Sequence, residues 1–86
     1  MPLPIMNSTD DLCAALREAV LAVIPDAQVT ATANSPGHFE LEVISPVFAG
    51  KSMVQQQQLV YGAIKTLMAG DAAPVHAIDR LRTRTS

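Results

Sequence analysis

The sequence predicts an α+β fold: a three-stranded mixed sheet with two helices packed on one face, in the order helix, strand, strand, helix, strand. Two stretches space their apolar residues as amphipathic helices do, and two shorter stretches alternate with the period of a strand around a glycine-containing turn. A chain of 86 residues fits one small domain. We assign this domain to residues 8–84, after a loosely held arm at residues 1–7.

The first helix is predicted to begin at a Ser8 or Thr9 cap and to end before Pro25. Its core-facing stripe consists of Leu12, Leu16, Ala19, Val20, Val23 and Ile24. Cys13 lies at the edge of this stripe. Because no second cysteine or histidine is nearby in the sequence, we interpret Cys13 as a small buried hydrophobe rather than a reactive or metal-binding thiol.

The second helix is predicted from Ser52 to about Ala69, and Lys51 and Ser52 are interpreted as ordinary capping residues at its start. Its apolar stripe consists of Met53, Val54, Val60, Tyr61, Ile64, Leu67 and Met68. Gln57 falls within this stripe, so we expect a buried or half-buried amide paired with the sheet or turn, since leaving it unpaired would cost about 1–3 kcal/mol. Gly62 is unfavourable inside a helix, and a close approach to the sheet would explain it.

Three strands are predicted. The first spans residues 27–33, a turn follows at residues 34–37, and the second strand begins at His38. The last strand spans residues 75–82. A right-handed crossover makes the last strand parallel to the second. In the last strand Leu81 falls one place late for the core, and a β-bulge would return it there. In the second strand we expect Phe39, Leu41 and Val43 to face the core. Glu40 and Glu42 then face water.

Composition narrows the functional classes. The formal net charge of −2 gives no overall field that would attract nucleic acid. A single cysteine favours a reducing compartment, and the absence of a signal peptide or long apolar stretch indicates a cytoplasmic protein without membrane contact. The Gly50-Lys51-Ser52 turn lacks the earlier glycine of a phosphate-binding loop, because Ser45 stands there. No nucleophile–base pair is evident, so we do not expect an enzyme.

Several landmarks together resemble the BolA family. They are His38-Phe39, Phe48-x-Gly50, Val54, Tyr61-Gly62 and Val75-His76-Ala77. The Gln57-Gln58-x-Val-Tyr-Gly segment is similar to the IbaG-like branch of that family. The resemblance covers about residues 10–79. It implies a class II KH-like fold, in agreement with the order of elements predicted from the sequence pattern.

The resemblance implies a non-enzymatic partner of a monothiol glutaredoxin, which co-ligates a [2Fe–2S] cluster in iron–sulfur trafficking or in iron and redox regulation. His76 matches the expected histidine ligand, and the glutaredoxin cysteine and glutathione would supply sulfur. His38 is the only candidate for a second ligand, and could equally be a strand residue hydrogen-bonded to the turn. The isolated protein, a monomer or weak homodimer, is expected to hold no cofactor.

The alternative is a nucleic-acid-binding transcriptional regulator, because some family members are described as such. Basic residues after the turn and in the last strand suggest it, whereas the acidic balance and the lack of a KH-type Gly-x-x-Gly loop oppose it. The residues predicted to contact a protein partner or DNA are Phe48, Gly50, Lys51, Arg80 and Arg82, with Arg84 as a further basic residue.

Overall fold

A computed structural model describes residues 9–70 and 73–85 of the protein. The order helix, strand, strand, helix, strand is confirmed, with a short 3-10 helix, η1, before the second α-helix. The elements are α1 (Thr9–Val23), β1 (Gln28–Ser35), β2 (His38–Ile44), η1 (Pro46–Phe48), α2 (Met53–Met68) and β3 (Ala77–Arg84). The predicted arm at residues 1–7 and the candidate cap Ser8 lie outside the described residues.

The sheet has the strand order β1-β2-β3, so β2 lies in the centre. β1 pairs with β2 antiparallel and β2 with β3 parallel, as predicted. β3 begins two residues later than predicted, at Ala77, because Val75 is fully buried in the core and the N–H of His76 bonds to the turn at Gly37. The first strand also extends further than predicted, to Ser35.

β3 contains the predicted bulge. Phe39 pairs with Ile78, but the next residue of β2, Glu40, pairs with Arg80, so Asp79 is the extra residue. Leu81 lies opposite Leu41 and packs against the core, as the prediction required. Bulges in parallel pairs are rare, and the extra residue of a bulge is left unpaired in the ladder. The carboxylate of Asp79 is therefore presented at a break in the ladder.

The core lies between the sheet and the two helices. Alternation along β2 buries Phe39, Leu41 and Val43, and the helices pack on this face. Cys13 is 8% exposed, and burial raises the pKa of its thiol, in agreement with its interpretation as a small buried hydrophobe. The other buried apolar residues are Leu12, Leu16, Val20, Ile24, Phe48, Val60, Ile64 and Val75.

The core-facing side of α2 differs from the predicted stripe. Val54 and Tyr61 are 62% and 38% exposed, and Met53 is 55% exposed. With about 100° of rotation per residue, Val54 and Tyr61 share a side of the helix about 100° away from the buried Val60 and Ile64. Val23 of α1, half exposed, was likewise wrongly assigned to its stripe.

The rotation of α2 changes which glutamine reaches the sheet. Gln57 is half-buried, as predicted, but the amide bonded to the sheet is that of Gln56, whose Oε1 accepts a hydrogen bond from Thr83 Oγ1 at 2.7 Å. Its Nε2 donates to the carbonyl of Lys51 at 2.9 Å. Gly62 is exposed, and a Cβ there would meet nothing within 4 Å, so the predicted close approach to the sheet is wrong.

Ser52 caps α2 as predicted. Its hydroxyl accepts a hydrogen bond from the N–H of Gln55, whose side chain accepts one from the N–H of Ser52 in return. This capping box satisfies two backbone donors at the helix start. Within the described residues, neither helix is long and apolar enough to cross a membrane.

Candidate site at the start of strands β2 and β3

The turn between β1 and β2 fixes the backbone of His76. The carbonyl of Gly37 accepts hydrogen bonds from the N–H groups of His76 and Ala77 at 2.8 and 3.1 Å. Gly37 has a φ of +79°, and a Cβ on it would lie 2.7 Å from His76 Cδ2. Only glycine allows both this backbone conformation and this approach. His76 is therefore held against the turn while remaining solvent-exposed.

His38 lies at the same end of the sheet as His76. It is the first residue of β2, and its partner across the ladder is Ala77, the first residue of β3. The two histidines thus lie within one residue of the same position in neighbouring parallel strands. The pairing of β2 with β3 therefore places the two residues that were predicted as metal ligands, which are far apart in sequence, at the same end of the sheet.

The imidazole of His38 contacts the bulge residue. Its Nδ1 lies 3.0 Å from Asp79 Oδ1, and Asn34 Nδ2 donates a hydrogen bond to Asp79 Oδ2 at 3.1 Å. One carboxylate therefore bridges the end of β1 and the start of β2. The side chains of His38 and Asp79 remain 45% and 39% exposed, so the pair lies at the surface.

The charge of Asp79 determines the hydrogen-bonding role of His38. The hydrogen bond from Asn34, followed by that from His38, holds the pKa of the Asp79 carboxyl below its ordinary value. An ionised carboxylate can only accept, so Nδ1 of His38 must carry the proton. In the neutral ring the lone pair is then on Nε2, and no described residue hydrogen-bonds this nitrogen.

The sequence did not single out Asp79 or Asn34 as parts of this site. One signal was available: the late position of Leu81 predicted an extra residue in β3. That prediction concerns the return of Leu81 to the core and says nothing of the side chain that the bulge releases. The predicted turn contact of His38 is present indirectly, because Asn34 reaches it through Asp79.

The donor set fits half of a shared metal centre. Among the described residues, no three His, Cys, Asp or Glu side chains form a group that could hold a metal ion. A [2Fe–2S] cluster is bound by four ligands, and in one natural arrangement two histidines bind one of the irons. His76 and His38 could supply that nitrogen side, leaving the sulfur side to another molecule. Cys13 is buried and does not contribute.

A model of the family described as BolA-like protein matches residues 12–86. The chain belongs to the BolA family. The UV-induced protein uvi31 of Schizosaccharomyces pombe is 36% identical over 62 residues, which are 72% of this chain and 51% of the relative. The chain therefore spans about half the length of the curated relative that it matches.

Solved BolA-like structures share the fold. A Bol-like protein from Babesia bovis aligns with a TM-score of 0.70 and 25% identity over 85% of this chain and 83% of that one. A BolA homologue from Coxiella burnetii aligns with a TM-score of 0.68 and 27% identity over 91% and 90%. These matches confirm the family and the fold, while the IbaG-like branch stays a prediction.

The other residues predicted to contact a partner in this BolA-family protein make no side-chain hydrogen bond with His38 or His76 among the described residues. Phe48 is 1% exposed, so its side chain belongs to the core and offers no surface to a partner. Gly50 and Lys51 are exposed in the turn before α2. Gly50 has a φ of +78°, so its role is to allow the backbone conformation of the turn.

Arg80 and Arg82 lie on the open face of the sheet, in register with Glu40 and Glu42 of β2. Arg84 Nη2 lies 3.5 Å from Glu42 Oε2. Alternating charges of opposite sign line this face, so the arginines do not form a basic patch of their own. The prediction that the two glutamates lie on the face away from the core is confirmed.

Proposed function

We propose that this BolA-family protein is a non-enzymatic partner of a monothiol glutaredoxin, with which it co-ligates a [2Fe–2S] cluster in iron–sulfur trafficking or in iron and redox regulation. The observation that supports the proposal is that His38 opens β2 and His76 directly precedes β3 at the same end of the sheet, with both residues accessible to solvent. An accessible imidazole pair is what a shared centre requires, because the second protein must approach the same atoms.

The ligands divide by chemical type. His76 and His38 of this protein provide nitrogen, while the glutaredoxin cysteine and a glutathione thiolate provide sulfur. Histidine in place of thiolate raises the reduction potential of such a cluster and makes its ligation sensitive to protons. This chain therefore contributes the ligands whose binding to the cluster depends on pH, in a centre assembled between two proteins.

Preorganisation supports His76 as the principal ligand. Its own N–H and that of Ala77 are both bonded to Gly37, and its ring lies against the turn. A ligand already fixed by its surroundings loses little conformational freedom when it binds. The exposed ring borders a shallow groove with Met68, Gly70, Ala73 and Val75.

The proposal is tested by assembling the shared centre. The protein is mixed anaerobically with a monothiol glutaredoxin, iron, sulfide and glutathione, and visible absorption and circular dichroism spectra are recorded. We expect a spectrum distinct from that of the glutaredoxin alone. A mixture whose spectrum equals the glutaredoxin spectrum would overturn the proposal.

Variants then identify the ligands. His76→Ala should abolish the distinct spectrum, whereas Gln58→Ala, an exposed change on α2, should leave it intact. Binding of the cluster-free glutaredoxin is measured in parallel, so that loss of ligation is separated from loss of docking. If His76→Ala gave the wild-type spectrum and cluster stability, the assignment of His76 would be wrong.

The nucleic-acid alternative has no observation in its favour. The arginines of β3 are interleaved with glutamates, and the turn offers Lys51 alone. The name of the S. pombe relative records induction by ultraviolet light in that protein. We propose a stress-linked role for the present protein on this likeness, which carries no support for DNA binding.

A further inference from the structure

Asp79 is the residue that strand pairing does not use. The pairs on either side of it, Phe39 with Ile78 and Glu40 with Arg80, continue the parallel ladder without it. Its carboxylate instead meets side chains from the other two strands, Asn34 of β1 at 3.1 Å and His38 of β2 at 3.0 Å. The bulge thus places a carboxylate beside an imidazole at the end of the sheet where His76 also lies.

Stability does not account for this arrangement. The side chains of His38 and Asp79 are 45% and 39% exposed, and ion pairs at such sites contribute little to folding. Each carboxylate oxygen nevertheless has one specific partner, and the two partners belong to different strands. Asn34 on one oxygen fixes the plane of the carboxylate, and the other oxygen is thereby aimed at Nδ1 of His38.

We propose that Asp79 is a positioning residue for His38: held by Asn34, it keeps the imidazole proton on Nδ1 and presents Nε2 as the nitrogen that binds a metal centre. The inference deepens the function proposed above and rests on it for the identity of that centre. Metal-binding histidines commonly donate their other ring N–H to a carboxylate, which fixes both the tautomer and the orientation of the ring.

The first test uses the protein without any cluster. Long-range proton–nitrogen NMR correlations on histidine labelled with ¹⁵N report which ring nitrogen carries the proton. Wild-type His38 is expected in the Nδ1–H form, and Asp79→Ala should shift it toward the Nε2–H form that free histidine prefers in water. His76, whose contacts are with Gly37, should keep its own pattern in both proteins and serves as an internal reference.

The second test assembles the cluster shared with a monothiol glutaredoxin, adds a chelator, and measures how much of the cluster is retained. Loss of such a supporting carboxylate typically weakens metal binding about 10–100-fold, and we expect Asp79→Ala to fall in this range. Asp79→Asn keeps a side-chain oxygen that can accept the Nδ1 proton, so it should restore part of the retention. In a His38→Ala background, Asp79→Ala should have no further effect.

The outcomes separate the two proposals. An unchanged His38 tautomer in Asp79→Ala, or an Asp79→Ala effect that persists after His38→Ala, would overturn the positioning role. If the wild-type protein formed no shared cluster, the proposed function would fail, while the NMR comparison would still decide whether Asp79 sets the tautomer of His38. A Glu42→Gln variant, which removes a carboxylate elsewhere on β2, should change neither measurement.

Discussion

The ring of His76 lies against Gly37, and the Gly37 carbonyl accepts the hydrogen bonds of two successive N–H groups, those of His76 and Ala77. A turn between the first two strands thus sets the position of the residue that precedes the third. The connection is made by backbone atoms, so it does not depend on which side chain occupies position 76. The turn and the histidine are consequently one structural unit.

Gly37→Ala should destabilise the protein and displace His76. A left-handed conformation costs a non-glycine residue roughly 1–2 kcal/mol, and here a Cβ would also lie 2.7 Å from His76 Cδ2. Urea denaturation gives the change in free energy of unfolding, and the NMR signals of the His76 ring report its displacement.

Gly50→Ala is the matched control for this prediction. Gly50 has nearly the same backbone conformation, with a φ of +78°, but a Cβ there would meet nothing within 4 Å. It should show the backbone penalty alone and leave the His76 signals unchanged. Equal shifts of the His76 signals in both variants would contradict the direct contact.

Asp79 should titrate below its ordinary pKa of 3.8 in the folded protein. Because the folded-state pKa is lowered, ionised Asp79 favours the folded state. This contribution is fully present above about pH 4 and is lost as the pH falls through the folded-state pKa. Carbon NMR of the carboxyl group follows the titration.

Asn34→Ala should raise the pKa of Asp79 toward its ordinary value, since the Asn34 hydrogen bond is the largest cause of the shift. His38→Ala should raise it as well, because the hydrogen bond from His38 is a second cause of the lowered pKa. Glu42→Gln serves as the control and should leave the midpoint in place. A midpoint in Asn34→Ala equal to the wild-type value would show that this hydrogen bond does not form in solution.

Gln56→Ala should destabilise the protein by about 1–3 kcal/mol, because it leaves the buried Thr83 hydroxyl without its closest acceptor. Met53 Sδ, at 3.4 Å, is a weak substitute. Gln58→Ala, at an exposed position of the same glutamine run, should change stability by no more than about 0.5 kcal/mol. Comparable losses in the two variants, measured by urea denaturation, would argue against the Gln56–Thr83 bond.

Gly62→Ala should stabilise the protein by about 1 kcal/mol, because alanine is the better helix former and the added Cβ meets nothing within 4 Å. The thermal midpoint should rise accordingly. A decrease would mean that Gly62 has a packing role that its exposed position does not reveal.

The fold was predictable because its signals are local. Alternation identified the buried residues of β2, a proline and a capping serine placed helix ends, and the late Leu81 indicated the bulge. The rotation of α2 was not predictable in the same way. Gln56 faces the sheet because its side chain hydrogen-bonds Thr83, which lies 27 residues away in sequence. The burial of Thr83 can be predicted only from the register of β3.

The histidines of the candidate site were predicted by resemblance, but the residues around His38 were not predicted. Asp79 meets His38 and Asn34 only through contacts between residues that are 41 and 45 positions apart in sequence. Locating those contacts requires the antiparallel register of β1, the parallel register of β3 and the position of the bulge. Phe48 illustrates the opposite error, because its predicted partner contact is excluded by burial in the core.

The bulge also has an evolutionary consequence. Deleting the single codon for Asp79 would join Ile78 directly to Arg80, and the pairs Phe39 with Ile78 and Glu40 with Arg80 would then follow one another in an uninterrupted ladder. No other pair would need to move. The carboxylate that supports His38 can therefore be acquired or discarded in one in-frame event, so natural selection can adjust this histidine without rebuilding the domain around it.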